Sequence, residues 1–259
     1  MSLNYYNTEH DTRAGQTLAA DLCIYGGTSS GIVAAITAVR RGLRVVLLNN
    51  GAHLGGLTTG GLGLTDFGNK TTIGGIAREF YRRLGEHYGT GEEWRFEPSA
   101  ASAVYQKMLA EAGLGSDRLT LVHRQFLPTG TTAAAAATAV TVTDNRIREI
   151  RLESGLTVRA PFFMDCTYEG DLMAAAGVPF TIGREGNDRY GELLNGVQIR
   201  EHHQFEIPVS PWIREGDPAS GLLPGISPRP PLPTGSGDAC VQAYNCRMCL
   251  TRDPALRAP

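Results

Sequence analysis

The stretch DLCIYGGTSSGIVAAITAVRRGLRVVLLNNGAHLGGLTTGGLGLTD, residues 21–66, decides the fold. Its apolar run Leu22–Tyr25 predicts a buried strand, and the glycine turn GGTSSG at 26–31 follows without a gap. Residues 32–41 then place apolar side chains at helical spacing, Gly42 ends the helix, and Val45–Leu48 predict a second buried strand. Strand, glycine turn, helix and strand in this order form the βαβ unit that binds dinucleotides.

The glycine turn has the chemistry of a pyrophosphate site. Gly26 permits a tight reversal of the chain, and Gly31 lets the helix lie close against the strand. The N–H groups at the helix start, together with the helix dipole, attract a pyrophosphate, and the hydroxyl groups of Ser29 and Ser30 can cap the helix or donate to phosphate oxygens. We therefore predict that this turn binds the cofactor through Gly26, Gly27, Thr28, Ser29, Ser30 and Gly31.

Two positions depart from the usual fingerprint of such turns. Thr28 replaces the middle glycine, so it adds a Cβ where the backbone should approach the ligand, although its hydroxyl can donate to that ligand. The second strand usually ends in an acidic residue that accepts both ribose hydroxyls, and here it ends in Asn49, followed by Asn50. An amide also hydrogen-bonds a ribose, but without charge assistance, so we predict a weaker ribose contact at this position.

The loop after the second strand distinguishes flavin from nicotinamide. Residues 51–63, GAHLGGLTTGGLG, show little periodicity, and paired glycines let a main chain pass close to a ligand. The loop resembles that of the glutathione-reductase-like FAD enzymes, in which a Gly-Gly pair runs along the pyrophosphate and the flavin. The resemblance implies that FAD is the cofactor and that it is contacted by Gly55, Gly56, Leu57, Thr58 and Thr59.

A second motif lies at residues 161–178, PFFMDCTYEGDLMAAAGV. Together with GGTSSG, LGGLTTGGLG and VQAYNCRMCLT, it resembles the FAD-dependent oxidoreductase family that is often named xanthan-lyase-like. In such flavoproteins a strand returns to the parallel sheet after a β-meander and ends beside the nucleotide in a small polar turn. The resemblance implies that Cys166 and Thr167 approach the flavin.

The intervening residues fit this architecture. The pattern predicts helices over about 76–87, 97–112 and 172–176, strands over 119–126 and 160–166, and a β-meander over 131–160 in which the alanine run 133–137 is a strand. The predicted fold class is α/β, a Rossmann-like FAD-binding parallel sheet with a β-meander crossover. We predict an N-terminal extension at 1–20, the first part of an FAD-binding domain at 21–178, and the start of a Pro-rich substrate or cap region at 179–259, extended between Pro208 and Pro233.

Composition limits the function classes and the partners. The chain has 259 residues and a net charge of −2, which favours neither nucleic acid nor an anionic membrane surface as a partner. No apolar run reaches membrane-spanning length, and the first twenty residues lack the basic start and the apolar segment of a signal peptide. Five cysteines without a framework spacing favour a reducing, cytoplasmic location. We predict a small-molecule substrate and no metal.

Several polar residues have alternative interpretations, and no catalytic group is assigned. His202 and His203 can position a substrate near the flavin, but adjacent histidines are also common on surface loops. Cys246 and Cys249 have a CxxC spacing without the second ligand pair that a zinc site needs, which favours a structural role. Asp165, Glu169 and Asp171 are candidates for acid–base chemistry, and for Asp165 and Asp171 the favoured alternative is helix capping or bonds to the cofactor's polyol and the main chain.

Three functional hypotheses follow. The first is an FAD-dependent oxidoreductase that moves hydride from an unknown small molecule to the flavin, and the family name suggests a sugar-related substrate. The second is a dinucleotide-binding module without catalysis, because Thr28 and Asn49 both weaken the fingerprint. The third, a nicotinamide dehydrogenase, leaves the loop at Gly55-Gly56 without a role.

The resemblance also implies that the fold continues beyond Pro259 with a late strand and helix that contact the flavin. Without them we expect an incomplete sheet with uncovered apolar surface. The flavin site would also be open to water, so we expect weak FAD retention, no meaningful turnover and association into homo-oligomers through the uncovered face.

Overall fold

The computed structural model describes residues 13–128, 139–202, 205–241 and 250–256. The chain divides into two compact units, one formed by Met1–Pro179 with Cys246–Pro259 and the other by Phe180–Asn245. The alanine run predicted as a strand, His203 and the Cys246/Cys249 pair lie outside the described residues.

The regular elements of the described residues are strands, α-helices and short 3-10 turns. The strands are β1 Thr17–Ala19, β2 Leu22–Tyr25, β3 Val45–Leu48, β4 Leu119–Val122, β5 Val140–Thr143, β6 Arg146–Arg151, β7 Thr157–Arg159, β8 Phe162–Asp165, β9 Trp212–Arg214 and β10 Asp217–Leu222. The helices are α1 Ser29–Arg40, α2 Gly75–Tyr88, α3 Pro98–Glu111, α4 Asp171–Ala175 and α5 Asn187–Tyr190.

The centre of the first unit is a parallel sheet in the order β4-β3-β2-β8. Its inner strands are buried on both faces, which is why their sequences are continuous apolar runs. Leu22 and Ile24 of β2 belong to the core shared with the helices α1–α3, whereas Cys23 and Tyr25 belong to the core shared with the meander. This arrangement puts the carboxyl ends of β2, β3 and β8 at one edge of the sheet.

The β-meander is a second sheet in the order β1-β7-β6-β5. Strands β5 and β6 form a hairpin whose turn residues, Asp144 and Asn145, have φ of 53° and 55°, as a type I′ turn requires. Strand β1 pairs in parallel with β7, so residues 17–19, which were predicted to belong to an N-terminal extension, are the edge strand of this sheet.

Two predicted features differ from the structure. The strand predicted over 119–126 ends at Val122, because Arg124 has a φ of 55° and the N–H of Gln125 donates to the carbonyl oxygen of Asn49 at 3.0 Å. The Pro-rich segment of the second unit contains the antiparallel pair β9–β10 rather than an extended chain alone. Pro218 is tolerated in β10 because a two-stranded ribbon consists only of edge strands, whose outer backbone groups need no partner.

One edge of the parallel sheet carries exposed apolar side chains. Strand β8 pairs with β2 on one side, and Phe162 and Met164 are 63% and 41% exposed. Within the described part of the chain, every helix is too short or too polar to cross a lipid bilayer.

An ion-pair network joins the three helices on the outer side of the parallel sheet. Arg40 of α1 donates two hydrogen bonds to the Glu79 carboxylate of α2, at 2.7 and 2.8 Å. Arg83 donates to Glu79 and also pairs with Glu111 of α3 at 2.7 Å. The hydrogen bond from Arg40 and then that from Arg83 lower the pKa of Glu79 from 4.5 to about 2, against the opposing effect of burial.

We therefore expect Glu79→Gln to reduce the free energy of unfolding by about 1 kcal/mol near neutral pH. Because the folded-state pKa is depressed, this contribution is present above pH 4.5 and is lost as the pH falls towards about 2. Urea unfolding near neutral pH and near pH 2 measures the difference. Glu86→Gln, at an exposed position of the same helix, is the control. An equal loss at both pH values, or an equal loss in the control, would contradict the network's role.

Candidate functional site

Two glycines allow the turn after β2 to take its tight path. Gly26 has a φ of +112°, and a Cβ there would lie 2.6 Å from the carbonyl carbon of Cys166 and from the nitrogen of Thr167. A Cβ at Gly31 would lie 1.9 Å from the carbonyl oxygen of Gly26. Both contacts are with backbone, which cannot move as a side chain can, so only glycine fits at either position.

Helix α1 begins at this turn with Thr28 as its N-cap. The N–H of Gly31 donates to the Thr28 hydroxyl at 3.5 Å, and that hydroxyl donates to the carbonyl oxygen of Cys166 at 2.7 Å. The hydrogen of this hydroxyl is therefore used within the protein and is not available to a ligand, and Thr28 takes the capping role predicted for Ser29 and Ser30. The N–H groups of the first helical turn have no acceptor within the helix, and that turn has no acidic side chain that would repel an anion.

Ser29 connects the helix start to the glycine loop. Its hydroxyl donates to the carbonyl oxygen of Gly55 at 2.8 Å and lies 2.6 Å from the hydroxyl of Thr58. The N–H of Gly55 also donates to the carbonyl oxygen of Gly27 at 2.8 Å. The two glycine-rich segments are thus held against each other directly beside the start of α1.

The loop itself folds into a 3-10 turn over Gly56–Thr58. Buried Thr59 fixes the base of this turn, since its hydroxyl donates to the carbonyl oxygen of Leu54 and lies 2.8 Å from His53 Nε2. His53 Nε2 also lies 3.0 Å from the carbonyl oxygen of Thr59, which makes that nitrogen the protonated one.

Asn49 is almost entirely buried, with 5% of its surface exposed. Its Nδ2 donates to the carbonyl oxygens of Gly51 and His53 at 2.7 and 3.0 Å and lies 3.2 Å from His123 Nδ1. Because both amide hydrogens are used to hold the loop, the ribose contact predicted for Asn49 is limited to its oxygen. Asn50 Nδ2 donates to the hydroxyl of Tyr25 at 2.8 Å.

The turn after β8 is organised by Asp165. One oxygen of its carboxylate accepts hydrogen bonds from the N–H and hydroxyl of Thr167, at 2.9 and 2.6 Å, and the other accepts the N–H of Met173 at 2.9 Å. Asp165 therefore caps α4 and shapes the turn. The Cys166 side chain is buried, and burial raises the pKa of its thiol, so Cys166 is not a thiolate nucleophile near neutral pH.

These segments enclose a cavity of about 380 Å³ at the carboxyl ends of the strands. The predicted site residues in its lining are Gly26, Gly27, Thr28, Asn49, Asn50, Gly56 and Thr167. The remaining predicted residues belong to the surrounding segments without lining the cavity: Ser29, Ser30, Gly31, Gly55, Leu57, Thr58, Thr59 and Cys166.

Sequence reasoning missed three lining residues, His53, Phe126 and Tyr168, and named Glu169 and Asp171, which also line the cavity, only as candidates without a fixed role. His53 and Tyr168 lie inside the two motifs already recognised, so proximity along the chain was the available signal. Phe126 was predicted to lie in a strand. It lines the cavity instead, because β4 ends at Val122, four residues before it. Burial, Glu169 and Asp165 together raise the pKa of Asp171. Carboxylates accept hydrogen bonds from ligand hydroxyls, so this side of the lining suits a polyol or ribose and the helix start suits phosphate.

The match to a family model agrees with this geometry. Residues 21–259 match the family described as FAD dependent oxidoreductase. The chain belongs to this family. Among the curated proteins, none matches the chain in sequence.

Several solved structures show a partial similarity to this family member. L-proline dehydrogenase from P. horikoshii shares 12% identity over 66% of this chain and 59% of its own, with a TM-score of 0.46. L-amino acid deaminase from Proteus vulgaris shares 13% identity over 66% of this chain and 55% of its own, with a TM-score of 0.41. The myxobacterial chondrochloren halogenase CndH shares 16% identity over 57% of this chain and 37% of its own, also with a TM-score of 0.41. The chain therefore spans less than two thirds of each of these proteins.

Family membership confirms the predicted fold class, an α/β Rossmann-like parallel sheet with a β-meander crossover, and FAD as the cofactor. The residues present fit FAD, because Gly26, Gly27 and Thr28 line the cavity beside the start of α1, whose first-turn N–H groups have no acceptor within the helix. Among the described residues, no cluster of His, Cys, Asp and Glu could hold a metal ion.

Proposed function

We propose that the chain is the nucleotide-binding part of an oxidoreductase in which hydride passes from the carbon of a small-molecule substrate to FAD. The observation that supports this most strongly is the joining of three segments, the glycine turn, the loop 55–59 and the turn after β8, around one cavity. FAD, when bound, supplies the redox chemistry, and the protein supplies binding, orientation and exclusion of water.

The chain's own residues divide this work. The N–H groups at the start of α1 bind the pyrophosphate, and Gly26 and Gly31 allow the backbone to approach it. From the loop 55–59 and from the turn after β8, Gly56 and Thr167 line the cavity and would contact the cofactor. The buried thiol of Cys166 stays protonated, so no covalent thiol step is part of the proposal.

The substrate is a small molecule, and the sugar-related class suggested by the family name is the first to test. The chain is saturated with FAD without oxygen and mixed with sugars, hydroxy acids and amino acids. Loss of the visible absorption of oxidised flavin with one substrate class supports the proposal. Because bleaching requires a single reduction of bound FAD and no turnover, stable FAD binding without bleaching by any class would contradict it.

A nucleotide-binding module without turnover is the second candidate. It is favoured by the internal use of the Thr28 hydroxyl and the Asn49 amide, both of which weaken direct contacts with the nucleotide. The same experiment separates the candidates, because a module retains FAD and never reduces it.

A further inference from the structure

Tyr168 links two loops on opposite sides of the cavity. Its hydroxyl accepts the N–H of Leu57 at 2.7 Å. Its ring lies over Gly56, where a Cβ would be 2.1 Å from the hydroxyl oxygen and 3.0 Å from Cζ. Leu57 lies in the first turn of a 3-10 helix, so its N–H has no acceptor within that turn, and Tyr168 supplies one from a distant part of the chain.

Each loop is braced separately by its own contacts. The turn after β8 is held by Asp165, and the loop 55–59 is held by Ser29 and Thr59. The Thr28 hydroxyl joins the turn after β8 to the helix start, and the backbone of Thr28 forms a β-bridge with Gly55, so Thr28 links the two loops only through the helix start. Among the hydrogen bonds of the described residues, the bond from Leu57 to Tyr168 is the one that joins these two loops directly.

We propose that Tyr168 is a positioning residue for FAD, a clasp that holds the loop 55–59 to the turn after β8 and so closes the cavity over the bound nucleotide. This inference rests on the proposed function, since it assumes that FAD occupies the cavity. Tyr168 is 59% exposed, so its ring contributes little to the core, and its effect is expected on the loops rather than on the stability of the whole fold.

The clasp can be tested without any ligand. In Tyr168→Phe the ring remains but the hydroxyl acceptor is lost, so we expect faster hydrogen exchange at the Leu57 amide with an unchanged unfolding temperature. Tyr190→Phe is the matched control, because Tyr190 is 64% exposed and lies in the other unit. Unchanged exchange at Leu57 in Tyr168→Phe would overturn the clasp.

The second measurement is FAD dissociation. Loss of one neutral hydrogen bond that preorganises the site should raise the dissociation rate about three- to tenfold, with Tyr190→Phe unchanged. Equal dissociation rates for Tyr168→Phe and the parent would overturn the positioning role. A parent chain that fails to bind FAD, with faster Leu57 exchange in Tyr168→Phe, would overturn the positioning role together with the proposed function and leave only a loop contact.

Discussion

Gly31→Ala is expected to destabilise the first unit by about 3 kcal/mol and to abolish FAD binding. Alanine is normally better than glycine in a helix by up to about 1 kcal/mol, so helix propensity alone predicts the opposite sign. The new Cβ, however, would lie 1.9 Å from the carbonyl oxygen of Gly26. The Cβ is fixed to the backbone of α1 and the oxygen belongs to the backbone of the turn, so neither can rotate away. The helix α1 must therefore move away from β2, and the helix start then leaves the cavity.

Urea unfolding followed by circular dichroism measures the loss, and a titration with FAD measures the site. Gly68→Ala is the matched control, because a Cβ there meets nothing within 4 Å and the residue does not have a left-handed φ. The control should unfold at the parent's urea concentration. A Gly31→Ala chain as stable as the control would show that the close contact between α1 and β2 is not required.

Asn49→Asp is the second large effect that we expect, with a loss of about 3 kcal/mol near neutral pH. The side chain keeps its shape, but a carboxylate replaces an amide that donates to the carbonyl oxygens of Gly51 and His53. Burial beside two carbonyl dipoles raises the pKa of the new carboxyl group, because only its neutral form can donate a hydrogen bond. The destabilisation is therefore small at low pH and grows as the pH rises through the folded-state pKa.

The same substitution separates two accounts of this position. If the residue served only the ribose, an acid would restore the usual fingerprint and tighten FAD binding. The hydrogen bonds in this structure predict the reverse, weaker binding together with lower stability. Asn50→Asp is the control for stability alone, because the amide of Asn50 donates to the hydroxyl of Tyr25, a hydroxyl can donate to a carboxylate instead, and Asn50 itself lines the cavity. Tighter FAD binding by Asn49→Asp at unchanged stability would contradict our account.

The features predicted from the sequence are those with local causes. The strands Leu22–Tyr25 and Val45–Leu48 follow from runs of apolar residues that are neighbours in the chain. The need for glycine at 31 also has a local cause, because a Cβ there would meet the carbonyl oxygen of Gly26 in the same turn. At Gly26 the φ of +112° is local, whereas the close contact with Cys166 and Thr167 is not.

The features that sequence reasoning missed depend on contacts between distant residues. The hydroxyl of Thr28 finds its acceptor 138 positions away, and Asn49 meets His123 74 positions away. Periodicity in the sequence does not reveal partners at such distances. Thr28 and Asn49 weaken the dinucleotide-binding fingerprint, and in the structure they hold the protein's own loops together. Tyr168 is the same kind of case, since its partner Leu57 lies 111 positions away.

The central claim is that the FAD pyrophosphate binds at the start of α1, between the glycine turn and the loop 55–59. A titration of FAD into the chain, followed by the change in flavin fluorescence and repeated with excess ADP, tests it most directly. Our account predicts saturable binding of one FAD per chain, with ADP competing because it presents the same pyrophosphate and ribose. Binding that does not saturate, or that ADP leaves unchanged, would contradict the claim.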